Sequence, residues 1–151
     1  MAMILTANEK LARTFAEENG GRVVGITYGY LLRKSGERSH SGVKIDINGH
    51  RIHHYFSRVW HRNKQAISVS EEQLQLALDE NALILINHLG HLKCANAVSW
   101  ELWANQDKNY ELHRRYHKKE IYCQIEMLRS FDINKLEQYY DDYEKVKDKY
   151  F

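Results

Sequence analysis

Apolar positions in this 151-residue chain follow helical spacing, strict alternation or short continuous runs, and each pattern predicts a different element. From Ala7 to Asn19, Leu11 and Phe15 recur among alanines at helical spacing before Gly20-Gly21, which predicts a short N-terminal helix that stops there. Arg22 to Leu32 is rich in Val, Ile and Tyr, Lys34-Ser35-Gly36-Glu37 reads as a turn, and Val43-Lys44-Ile45-Asp46-Ile47 alternates apolar with polar. Asn48 and Gly49 both tolerate the positive φ of a type I′ turn, so a hairpin is expected there, with a third strand over Arg51-Ile52-His53-His54. The outcome is a small antiparallel sheet.

Beyond it, Tyr55 to Arg62 places Phe56, Val59 and Trp60 on one face of an expected short helix. Ser70 with Gln73 forms a capping box for a helix to about Leu78. Ala82 to Ile86 is a continuous apolar run, as in a strand buried on both faces, and Val98, Trp100, Leu102 and Ala104 alternate as a second strand. A long amphipathic helix is expected from Gln106 to about Arg129. A final one, capped by Asn134 with Glu137, carries Leu136, Tyr139, Tyr140, Tyr143 and Val146. The fold class is therefore α+β, with helices at both ends of the chain.

A chain of this length holds one main domain with an appended helical segment. No apolar run approaches the roughly 20 residues of a membrane span, and the first residues lack the continuous apolar stretch of a signal peptide, so a soluble cytoplasmic protein is expected. Cys94 and Cys123 lie far apart without a Cys-x-x-Cys partner, which argues against a disulfide framework or a four-cysteine zinc site. The net charge of +2 is only mildly basic, but its distribution is uneven. Basic residues cluster at 33–38, 50–64 and 113–119, and acidic ones at 71–80 and 137–148, so one basic and one acidic surface are expected, while the small net charge by itself argues only weakly for a nucleic-acid partner.

The order strand, His-containing loop, strand, helix frames the candidate chemistry: Asn87-His88 leaves the first strand, Asn96 lies in the loop, and Asn109 falls in the first turns of the helix. Counting from His88, Lys93, Asn96, Ser99, Trp103 and Asn109 stand five, eight, eleven, fifteen and twenty-one residues on. This spacing resembles the HNH endonucleases of phage and group I intron origin, and Ile52-His53-His54-Tyr55-Phe56-Ser57-Arg58-Val59-Trp60 is similar to the helix that precedes their core. The resemblance covers roughly residues 40 to 112. It implies a ββα-metal (HNH) core in a segment 67–112, preceded by 1–66 with the N-terminal helix, sheet and covering helix, and followed by a helical extension, 113–151.

The resemblance further implies a metal-dependent nuclease that nicks double-stranded DNA in the cytoplasm of a bacterial or phage-infected cell, with His88 as general base. A divalent ion, Mg2+ first among the choices, would be held by the amide oxygens of Asn87 and Asn109, with His113 as candidate third ligand on the same helical face. Asn96 would tie the loop. Lys93, His53, His54, Arg114, Arg115, Lys118 and Lys119 are the candidate DNA contacts, and the C-terminal helices a candidate homodimer interface.

Blander roles compete for several of these residues. His113 and His117 also fit a solvated basic face, His53 and His54 fit packing or capping, and Trp100, Trp103 and the late tyrosines fit a core. The chain also departs from the family pattern, with Leu89-Gly90-His91 in place of an Asp-Gly pair, Trp100-Glu101 in place of Asn-Leu, and a longer segment before Asn87. These departures motivate the alternative, a catalytically inactive HNH-derived protein that binds or inhibits DNA or another protein.

Overall fold

A computed structural model describes residues 7–27, 30–31, 38–39, 42–57, 66–88, 90–100, 113–115, 118–124 and 128–141. Its first element, α1 (Ala7–Glu18), packs Ala12, Phe15 and Ala16 inward from one face. Its end is a Schellman cap: Gly20 takes φ +71°, Gly20 N donates to Glu17 O and Gly21 N donates to Ala16 O at 2.7 Å. The expected stop at Gly20-Gly21 is the one the structure uses. Gly21 also brings the backbone against β4 (Val43–Ile47), where an added Cβ would lie 2.5 Å from Asp46 O and 2.5 Å from Ile47 Cγ1.

The main sheet has six strands in the order β1-β4-β5-β7-β8-β11: β1 (Arg22–Ile26), β4, β5 (His50–Ser57), β7 (Leu83–His88), β8 (His91–Asn96) and β11 (Arg129–Ser130). It is mixed, because β5 and β7 run parallel while the other pairs are antiparallel. The β4–β5 hairpin turns on Asn48 (φ 50°) and Gly49 (φ 80°), as the Asn-Gly pair predicts. Parallel strands need a long crossover. Here the crossover includes β6 (Ala66–Ser70) and α2 (Glu71–Glu80), and α2 closes with a second Schellman cap in which Asn81 takes φ 53° and Ala82 N donates to Ala77 O at 2.8 Å.

Both faces of the sheet are covered, as expected when the strand residues of β7 are all buried. One core joins α1 and Leu136, Tyr139 and Tyr140 to Ile45, Ile52, Leu83 and Leu85. The other joins Leu74 and Ala77 of α2 and Trp100 to Tyr55, Ile84 and Ile86. Two smaller sheets complete the described residues: β6-β10-β9, with β9 (His113–Arg115) and β10 (Lys118–Gln124), and the two-residue strands β2 (Tyr30–Leu31) and β3 (Arg38–Ser39). Among the described residues no helix is long and apolar enough to cross a membrane.

Four sequence expectations are corrected. Tyr55 to Ser57 are strand rather than the start of a helix, because they pair in parallel with Ile86 to His88; Arg58 to Arg62 lie outside the described residues. The strand after β7 is His91–Asn96, and residues 97–100 are helical where alternation predicted a strand. The cause is Asn96, whose Oδ1 accepts from Ser99 N at 2.8 Å and so caps a helix. Within the helix expected from Gln106 to Arg129, residues 106–112, 116–117 and 125–127 lie outside the described residues and the others form β9, β10 and the start of β11 or precede it, since Ala66–Ser70 supplies β10 with a partner strand along Glu120 to Gln124. Finally, Asp132 rather than Asn134 caps the last helical segment: its Oδ1 accepts from Asn134 N at 3.0 Å, opening a 3-10 turn, Ile133–Lys135, that continues into helix at 136–141. The expected turn at Lys34–Glu37 falls outside the described residues.

The close approach at Gly21 yields a stability test. Gly21→Ala is expected to lower unfolding stability by about 1–3 kcal/mol through overpacking against β4. Gly20→Ala, which meets no neighbour within 4 Å, should cost only the left-handed penalty of about 1–2 kcal/mol. Urea unfolding of each variant against the wild type measures the two losses, and an unchanged midpoint for Gly21→Ala would mean that the edge strand simply moves aside.

Candidate functional site

Asn87 and His88 are the last two residues of β7, and they end a strand whose preceding residues, Leu83 to Ile86, are wholly apolar. Both are buried, at 7% and 6% exposure. Side chains alternate along a strand, so the two point to opposite faces of the sheet: Asn87 to the side of Leu85 and His88 to the side of Ile86. Asn87 Oδ1 accepts from Gly90 N at 2.9 Å and thereby closes the tight turn to β8, with Gly90 at φ 92°.

The β7–β8 register then positions the rest. His91 stands directly opposite His88, Lys93 opposite Ile86 and Asn96 opposite Leu83. Lys93 is thus on the same face as His88, one diagonal step away, and its Nζ donates to Ser130 Oγ at 3.1 Å. Asn96 is buried, caps the following helix through Oδ1 and donates from Nδ2 to Tyr139 O at 3.3 Å, tying the end of β8 to the C-terminal helical segment.

Asn109, Trp103 and His117 lie outside the described residues. His113 lies on β9, so the helical face expected to carry it beside Asn109 is not formed at that residue. Arg114 and Arg115 are on β9 as well, and pair with Lys119 and Lys118 of β10: the basic run is a hairpin, not a helix.

His53 and His54, candidates for phosphate contact, are fully buried at 0% exposure, which corrects that expectation in favour of packing. The ring of His54 lies against Phe15. Its Nδ1 donates to Asn8 Oδ1 at 2.7 Å, while Asn8 Nδ2 donates back to His54 O at 3.1 Å. Nε2 of His54 is buried with no hydrogen-bond partner, so a proton there would be a desolvated charge, and the pKa falls to about 4. His53 is likewise pushed down to about 4, chiefly by burial and despite Glu80. Its Nε2 lies 3.2 Å from Glu80 Oε2, whose charge pulls the other way without offsetting the burial.

Glu80 is the centre of a network that sequence reading missed. Lys44 Nζ donates to it at 3.0 Å, and Arg51 bridges it to Asp46, with Nε 2.6 Å from Asp46 Oδ1. These cations hold the Glu80 carboxyl below its ordinary range even though partial burial pushes the other way. Asp46, Arg51, Glu80 and Asn81 line a cleft of about 350 Å3 together with His50 and Tyr140, whose rings stack 4.4 Å apart. Half of this was readable in advance, because a two-residue Asn48-Gly49 turn sets Asp46 opposite Arg51 and Lys44 opposite His53. Glu80 arrives from a distant helix and leaves no local signal.

No protein-family model, no curated protein and no solved structure matches the chain.

The two buried rings set a pH dependence. Their pKa values drop from 6.5 in the unfolded chain to about 4 on folding, so between those limits the unfolded chain binds protons that the folded one refuses. Stability is therefore full above pH 6.5 and is lost as the pH falls toward 4, by up to about 3 kcal/mol per ring. Urea midpoints between about pH 7 and about pH 4.5 should fall steeply for the wild type and less steeply for His54→Gln. Equal slopes would show that neither the ring nor its burial controls the loss.

Proposed function

We propose that this chain is a DNA endonuclease of HNH type, hydrolysing one strand of a duplex with His88 as general base. The observation that carries the reading is the β7–β8 hairpin, which sets His88 and Lys93 on one face of the sheet, a diagonal apart. An imidazole there accepts the proton of an attacking water, and an ammonium beside it attracts the phosphate that the water attacks. The spacing from His88 through Asn96 to Asn109 supports the same reading.

Amide oxygens are hard donors that suit Mg2+, so Asn87 and Asn109 would be the residues to hold such an ion, which would supply charge neutralisation at the leaving 3′ oxygen. Asn87 Oδ1 already accepts from Gly90 N, which leaves one lone pair for such a role. Arg114, Arg115, Lys118 and Lys119, gathered in the β9–β10 hairpin, supply further candidate phosphate contacts.

One observation favours the second reading, an HNH-derived protein that binds DNA or a protein without turnover: Asn87 and His88 are both buried and occupy opposite faces. A supercoiled-plasmid assay with Mg2+ or Mn2+ separates the two. On the nuclease reading the wild type yields open circles, His88→Ala loses about 10²–10⁴-fold in rate, and Asn109→Ala raises the metal requirement. Lys93→Ala should weaken DNA binding and reduce its salt slope by about 1. Plasmid that stays supercoiled but shifts on a gel assigns the chain to the binding class, and plasmid that does neither removes DNA from both readings.

A further inference from the structure

The turn that separates β7 from β8 places two histidines where no role has been assigned to them as a pair. His88 and His91 are the last cross-strand partners of the hairpin, standing directly opposite one another with only Leu89 and Gly90 between them. Directly opposed residues project to the same face, with Cβ atoms about 4.5–5.5 Å apart. Two imidazoles rooted at that separation can each turn one nitrogen onto a common point. For an ion bound at about 2.0–2.1 Å in tetrahedral geometry, the two nitrogens must stand only roughly 3.3 Å apart.

We infer that His88 and His91 form a bidentate site for a borderline transition-metal ion such as Zn2+ or Ni2+. Paired neutral imidazoles select such ions over Mg2+, which prefers oxygen. The two rings supply complementary properties. His88, 6% exposed, is the fixed partner, held in the core by β5 and β8, whereas His91 is exposed and leaves the remaining coordination positions open to water. The spacing between them is set from the opposite face, where the hydrogen bond from Gly90 N to Asn87 Oδ1 fixes the turn. Lys93, a cation one diagonal step away on their face, is drawn toward β11 by its bond to Ser130 Oγ. The site uses a ring that no metal role has been given, His91, and does not depend on the nuclease reading.

The test uses the full chain, stripped by a chelator and titrated with Zn2+ or Ni2+ against a competing metal dye, with the ring nitrogens of His88 and His91 followed by NMR. The wild type should bind one ion at this site, shifting both rings, and a large excess of Mg2+ should not displace it. Loss of an outer-shell partner alone lowers metal affinity by about 10–100-fold, so His91→Ala, a change at an exposed position, should cost at least that much while leaving the circular dichroism unchanged. With nine histidines in the chain, ions can be captured elsewhere. Wild-type affinity in His91→Ala, or titration without movement of the His88 and His91 ring signals, overturns the proposal. So does a wild type that binds neither ion.

Discussion

The parallel pairing of β5 with β7 is the constraint from which most of this structure follows. A strand buried on both faces cannot leave its peptide groups to water, so β7 must be bonded along both edges, and it is, to β5 from Ile52↔Leu83 to Ser57↔His88 and to β8 in the antiparallel sense. A parallel partner in turn demands a crossover, and the longer segment ahead of Asn87 contains it, as β6 and α2. That α2 then covers one face while α1 and the C-terminal helical segment cover the other is the minimum needed to bury both sides of a strand reading Leu-Ile-Leu-Ile. Polar side chains enter β7 only at its end, which is why the candidate chemistry sits there.

The same constraint explains two histidines inside a protein core. His53 and His54 flank the sheet centre on β5, and alternation sends them into opposite cores. Each is tolerable only as a neutral ring. His54 satisfies one nitrogen through Asn8, which links α1 to β5; His53 sits beneath a charged network that ties the end of α2 to β4 and β5. Glu80 is the last residue of α2, where a carboxylate opposes the helix dipole, and Lys44 and Arg51 supply the compensating charge. Because these side chains keep about a fifth to a third of their exposure, each pair contributes well under the Coulomb energy of a buried one, on the order of 1 kcal/mol or less. Their larger effect is geometric, fixing where α2 ends against the sheet.

Local chemistry made some of this legible in the sequence. Asn48-Gly49 and Gly20-Gly21 announce themselves because few other residues accept a positive φ, and Val43 to Ile47 alternates because its two faces meet different surroundings. What could not be read was set by partners remote in sequence. Tyr55 to Ser57 have helical spacing with Val59 and Trp60, yet a parallel neighbour holds them as strand; the basic run from His113 forms a hairpin because Ala66–Ser70 stands beside β10. At the site, the position of Asn87-His88 at a strand end was visible, but their opposed orientation was not. Ending the strand at Ile86 hid it, and two more residues of alternation would have revealed it.

The short connection between His88 and His91 decides what faces His88. After His88 the chain turns tightly, with Gly90 at φ 92° and Asn87 as its side-chain acceptor, and the next strand begins at once. The register sets an imidazole, that of His91, directly across from His88. The two proposed roles make different demands on one ring: a general base needs a nitrogen lone pair facing water, whereas a ligand needs that lone pair on an ion. An imidazole has two nitrogens but, when neutral, only one free lone pair, so the turn that brings His91 opposite His88 sets the two roles in competition.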